Sequence, residues 1–184
     1  MRLGAVLAIA LLVFEAGCGN ERRSALQPPE PDPTLSEPLM VALQQARSYH
    51  HLADTYLEVG DTAEAIAAVE KILAVPFPPG APEGRDTLLD ARARLAKLYL
   101  GAGRPDDARR IVDEGLAAAP ADSFFTANLL AVSGDLFEAR AKALDATDAA
   151  AAKEARLAAI RAYSSSIEVN KRVQARLAKE NVQP

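Results

Sequence analysis

Tryptophan is absent from this chain, aromatic residues make up only 5% of it, and cysteine occurs once. So few rings cannot fill a thick sheet sandwich. Alanine, the best helix former, dominates a hydrophobic share of 49%, which points to an all-α protein with closely packed helices. A single cysteine closes no internal disulfide. The only histidines, His50 and His51, are adjacent, and neighbours on a helix point about 100° apart, so they cannot grip one metal as an i, i+4 pair does. No metal and no cofactor is expected. His50 could pair with Asp54 one turn later, yet no serine or cysteine nucleophile accompanies them, and Ser164, Ser165 and Ser166 read as a polar helix face. No carboxylates form an isolated acid/base pair, and the reading is of a protein that is not an enzyme. The net charge of -4 gives no general attraction to nucleic-acid phosphates. Charge is unevenly spread, however. From Glu30 to Glu70 eight acids stand against Arg47 alone, whereas from Arg140 onward nine bases face five acids. Solvated helix faces of opposite sign account for this more simply than a dedicated docking surface does.

One long apolar run is present, from Leu3 to Phe14. It is too short for a bilayer span, which takes about 20 residues. With Arg2 before it and Ala16, Gly17 and Gly19 after it, it has the three parts of a secretory signal. The residues "EAGC" at 15–18 resemble the bacterial lipobox, in which two small residues precede an obligatory cysteine. The resemblance implies lipid on Cys18, removal of the signal over 1–18, and outer-membrane sorting, because Gly19 is not the aspartate of inner-membrane retention. Glu15 stands where the lipobox has an apolar residue, and ordinary cleavage after Gly19, leaving a soluble periplasmic protein, is the alternative. Pro28, Pro29, Pro31 and Pro33 then crowd a polar stretch, and 19–37 reads as an extended, disordered tether.

Beyond the tether the sequence repeats itself. Ala65, Ala68, Val69, Ile72 and Leu73 fall on one helix face, and Ala108, Ile111, Val112, Gly115 and Leu116 repeat them 43 residues later. Tyr49, Leu52, Ala53 and Tyr56 shift by the same amount onto Arg92, Leu95, Ala96 and Tyr99. Two helices that move together by one offset are a repeated hairpin. Gly60 supplies a left-handed C-terminal cap and Asp61 with Glu64 a capping box. In the second copy Gly101 and Gly103 end one helix, while Pro105, Asp106 and Asp107 suit the start of the next. With no strand before it and no third glycine, "GAG" at 101–103 is a helix turn rather than a phosphate loop. The stretch from Pro76 to Arg85 is expected to be a non-helical loop. A looser third copy aligns Leu130, Ser133, Gly134 and Phe137 with the first helix, and Ala159, Ala162, Tyr163, Ser166 and Ile167 with the second. About 13 alanine-rich residues are inserted between its halves.

These residues resemble the tetratricopeptide repeat, with its W-x2-L-G-x2-Y, A-x3-F and proline pattern. Tyr49, Leu52, Ala53, Tyr56, Ala65, Val69 and Pro76 carry it in the first copy. Arg92, Leu95, Ala96, Tyr99, Ala108, Val112 and Pro120 carry it in the second. The resemblance implies a short α-solenoid of about three hairpins, at about 38–75, 86–120 and 121–169, with a capping helix over 170–182. It also implies a non-catalytic scaffold or adaptor that holds a protein or peptide segment of an envelope complex. By the same resemblance the first helices of the hairpins line a groove built around Arg47, His50, His51, Asp54, Asp90, Ala93, Arg94, Lys97, Asn128, Ala131 and Asp135. His50 and Asp54 occupy two places that lysine and asparagine take in the carboxylate clamp of tetratricopeptide co-chaperones, so a chaperone tail is not the expected partner. An enzyme whose site follows none of these patterns is the remaining alternative.

Overall fold

The structure, a computed structural model, describes residues 36–180. The expected signal, Cys18 and all of the expected tether before Ser36 lie outside the described residues. Six α-helices follow in order: α1 Glu37–Glu58, α2 Thr62–Leu73, α3 Pro82–Gly101, α4 Pro105–Ala118, α5 Phe124–Leu144 and α6 Ala149–Glu180. There is no strand among the described residues. They pair as three hairpins, α1 with α2, α3 with α4 and α5 with α6, and each hairpin packs on the next through α2 on α3 and α4 on α5. This is the short α-solenoid that the repeat pattern implies.

The turns show why the chain folds back where it does. Gly60 and Gly103, 43 residues apart, take positive φ values of 82° and 72°, which glycine reaches without steric cost. Gly60 N–H donates to the Leu57 carbonyl and Asp61 N–H to the Tyr56 carbonyl. Gly103 and Arg104 do the same to Leu100 and Tyr99. Both turns are thus Schellman motifs in one frame. Gly101 belongs to the last turn of α3, so Gly103 supplies the conformation that stops it. Asp61 Oδ1 accepts from Glu64 N–H at 3.1 Å, the half of the capping box that caps α2. The Asp61 amide is already taken by the Tyr56 carbonyl.

Packing repeats with the turns. Ala53 and Ala96, Ala65 and Ala108, and Val69 and Val112 are all fully buried. Small side chains at these places let the helices approach closely. In the third hairpin the equivalents of Ala96 and Val112 are Gly134 and Tyr163. The Tyr163 ring lies where a Gly134 side chain would be, its Cε1 2.5 Å from an ideal Cβ, and its hydroxyl donates to Asp135 Oδ1 at 2.7 Å. Burial and this carboxylate push the Tyr163 pKa well above its usual 10.

Two boundaries differ from the sequence expectation. The loop expected through Arg85 ends at Ala81, because Pro82 occupies the first turn of α3, where a missing N–H costs nothing and φ is already helical. The capping segment expected from residue 170 is the last part of α6, which runs unbroken from Ala149 to Glu180. Nothing in "IEVNKRVQARL" breaks a helix, and Arg172 Nε holds this part against the start of α5 by donating to Asp122 Oδ1 at 2.7 Å.

Candidate functional site

Arg94 of α3 joins the first helices of two hairpins. Its Nη2 donates to Asp54 Oδ1 at 2.5 Å, and its Nη1 lies 3.1 Å from His50 Nδ1 and 3.3 Å from the His50 carbonyl oxygen. A guanidinium can only donate, so Nδ1 accepts and the neutral ring carries its proton on Nε2. That nitrogen is 3.9 Å from Asp90 Oδ2. Burial holds the His50 pKa below its ordinary 6.5 and Arg94 lowers it further, with Asp90 and Asp54 opposing.

The depressed value sets a direction for stability. An unfolded chain binds a proton at His50 more readily than the folded one does, so this contribution is complete above about pH 6.5 and is lost as pH falls below it. The urea midpoint is expected to drop between about pH 7.5 and about pH 5, and His50→Gln to remove part of that drop. An identical drop in the variant contradicts the assignment.

Beside this clamp lies an open hollow of about 560 Å3. Arg47, His50, His51 and Asp54 of α1 and Asp90 of α3 line it, so five of the expected groove residues come together there. Arg94 adjoins them through His50 and Asp54. The rest of the lining is Leu43 and Ala46 from α1, Glu83, Asp86 and Thr87 from the first turns of α3, and Phe125 from α5. Ala93 is 1% exposed and part of the core, because its position on α3 faces inward between the hairpins. Lys97 is exposed but is not in the lining. Asn128, Ala131 and Asp135 on α5 are half-buried and outside it, and Asp135 is engaged by Tyr163.

The hollow has an apolar floor of Leu43, Ala46 and Phe125 and a rim rich in carboxylates. Asp54, Glu83, Asp86 and Asp90 face Arg47, while Arg85 engages Asp86 at 3.0 Å. Such a surface takes N–H donors and cationic side chains along the rim and an apolar side chain on the floor. Among the described residues no three His, Cys, Asp or Glu side chains group closely enough to hold a metal. A larger hollow of about 700 Å3 lies elsewhere, between the turn after α3 and the second half of α5, and none of the expected groove residues lines it.

Glu83, Asp86, Thr87 and Phe125 did not emerge from sequence reasoning. Glu83 is hidden by a proline-rich stretch that reads as loop, and Asp86 and Thr87 stand at the very start of the hairpin expected after it. Pro82 followed by Glu83 is a helix-start signal that could have found them.

Comparison with known proteins supports the helical-repeat fold. Residues 46–75 match one family model described as tetratricopeptide repeat, and residues 87–127 match another of the same description. The first match covers much of α1 and all of α2, and the second covers most of α3, all of α4 and the entry into α5. No curated protein and no solved structure matches the chain significantly.

Proposed function

We propose that this tetratricopeptide-repeat chain is an adaptor that holds a segment of a partner protein in the hollow between α1 and α3. Repeats of this kind are typically non-catalytic protein-interaction modules. The observation that carries the reading is the Arg94 clamp. It fixes α1 to α3 across the hairpin boundary and leaves the Asp54 and Asp90 carboxylates, about half exposed, beside the apolar floor. An extended segment with a basic side chain next to an apolar one fits this arrangement.

The export segment completes the proposal: lipid on Cys18 would tether the adaptor to the outer membrane, facing the periplasm, beside an envelope complex. Glu15 favours a second reading, in which the same adaptor is exported without lipid.

Two measurements test these readings separately. A photo-crosslinking residue in place of His51, in cells, is expected to give a discrete adduct that Asp90→Lys removes, while the same residue at Ala63 on α2 gives none. Equal labelling at both places refutes the groove. Cys18→Ser is expected to move the protein from the membrane fraction to the soluble one, and unchanged fractionation refutes the lipid anchor.

A further inference from the structure

A solenoid has two ends, and among the described residues both present exposed apolar side chains. Inside the stack, each second helix is covered by the first helix of the following hairpin. Against α2, Ile66 and Ala102 line one hollow and Glu70 accepts from the Tyr99 hydroxyl at 2.5 Å, so α3 runs antiparallel to α2. Against α4, the Arg109 guanidinium lies over the Phe137 ring of α5, the same kind of junction.

No third junction covers α6 among the described residues. Ile160 is the repeat-equivalent of Ile66, which is buried, and of Arg109, which is exposed, and Ile167 is the equivalent of Leu73 and Leu116, which are partly buried against the core. On α6 both isoleucines are more than half exposed, and Leu177 is nearly so. The opposite end mirrors this. Leu52 of α1 is the equivalent of fully buried Leu95 yet is 38% exposed, and Val41 and Val59 on the same face reach 62% and 74%. A stack ending in solvent needs polar outer faces.

We propose that the chain associates head to tail with a second copy of itself, the open face of α1 in one copy docking antiparallel on the open face of α6 in the next. The internal register supports it. Ala102, which shares a hollow with Ile66, is the equivalent of Val59, so continuing the stack brings Val59 of one copy beside Ile160 of the other. One residue for one in opposite directions, Leu52 then falls on Ile167 and Val41 on Ala178. Leu52 and Val59 thus meet Ile167 and Ile160, whereas Leu177 lies about 80° around α6 from Ile167.

Charge agrees as well. Asp61 arrives near Arg161, since Arg104 and Ala67, their equivalents, share one hollow between α2 and α3. Glu37 arrives at the last turn of α6, where Lys179 stands beside the Arg176–Glu180 pair. The α1 half is the acidic part of the sequence and α6 lies in the basic part, so two α6 faces would set bases against bases.

Gln45, Ser48 and Thr55 stand where α3 has Leu88, Ala91 and Leu98. The contact is therefore weaker than the internal junctions, and reversible. Being heterologous and continuing the stack, it leaves an open face on each added copy and builds chains.

Sedimentation of the full chain over a concentration series tests this. The average mass is expected to climb past that of a dimer without a plateau. Leu52→Glu and Ile167→Glu should each displace the curve by about tenfold or more in concentration, with the helical circular dichroism unchanged. Mixed together, these two variants should form a one-to-one dimer and nothing larger, because each retains one intact face. Should Leu52→Glu unfold the chain, Val59→Glu replaces it. In a Cys18→Ser background, a chain with Leu52→Cys should form a disulfide with a chain carrying Ile167→Cys and neither with its own kind. A wild-type chain that stays monomeric overturns the proposal. So does association that survives both glutamates, or an Ile167→Cys chain that crosslinks to itself.

Discussion

Gly134→Ala is expected to destabilise the protein by about 2 kcal/mol and to lower its melting temperature by about 5 to 10 °C, although alanine in a helix interior ordinarily adds about 1 kcal/mol over glycine. The sign reverses because the new methyl group would stand 2.5 to 2.7 Å from three atoms of the Tyr163 ring. The ring cannot simply swing away. Its hydroxyl is tied to Asp135, and rotating it out breaks that bond and opens a cavity between α5 and α6. Tyr163→Val alone is expected to cost about 3 kcal/mol through that cavity and the lost hydrogen bond. The two changes together restore the alanine and valine of the first two hairpins, Ala53 with Val69 and Ala96 with Val112. The double variant is therefore expected to be more stable than the sum of the single effects allows, by about 1 to 2 kcal/mol. Urea unfolding of the four chains measures the coupling, and strict additivity would contradict the exchange of bulk between these positions.

The frame behind this prediction was legible because a repeat states its pattern more than once. Gly60 and Gly103 agree with each other, as do Val69 and Val112, and each copy checks the other. The legibility stops where the copies differ in their neighbours. Leu52 and Leu95 are the same residue at the same place in the pattern, yet one is exposed and the other fully buried. No hairpin precedes α1 among the described residues to cover it, and exposure at an end depends on what stands next in space. The groove was half legible for a related reason. The residues of α1 and Asp90 of α3 followed from the tetratricopeptide resemblance, whereas Phe125 enters the hollow from α5, whose offset from α3 is 38 residues rather than 43. Arg92 shows the opposite case. It replaces the expected aromatic, and its aliphatic stem and Leu129 both lie against Gly115, which stands where the first hairpin has Ile72. Two departures from the pattern thus accommodate each other, and neither can be interpreted singly.

Aspartate at Ala65 or Ala108 is the more severe test. Both alanines are fully buried, one in α2 and the other in α4. A carboxylate in either place has no partner and no water, a loss of about 3 to 5 kcal/mol. The equal burial predicts an equal local cost, but the two sites differ in how that cost spreads. Stability in a stack of hairpins is close to a sum of each hairpin and its junctions with nearest neighbours. The hairpin of α1 and α2 has one such junction, with α3 and α4. Ala65→Asp is therefore expected to release that hairpin alone, giving a melt in two steps with the later one near the wild-type temperature. It should also abolish crosslinking from the groove, since α1 supplies Arg47, His50, His51 and Asp54. The hairpin of α3 and α4 has junctions on both sides, so Ala108→Asp should remove the support of its neighbours and collapse the whole described domain in one step at a much lower temperature. Circular dichroism melts and amide exchange on α5 and α6 separate the outcomes. Protection of α6 that is lost equally in both variants would mean that the chain folds as a single cooperative bundle rather than as a stack.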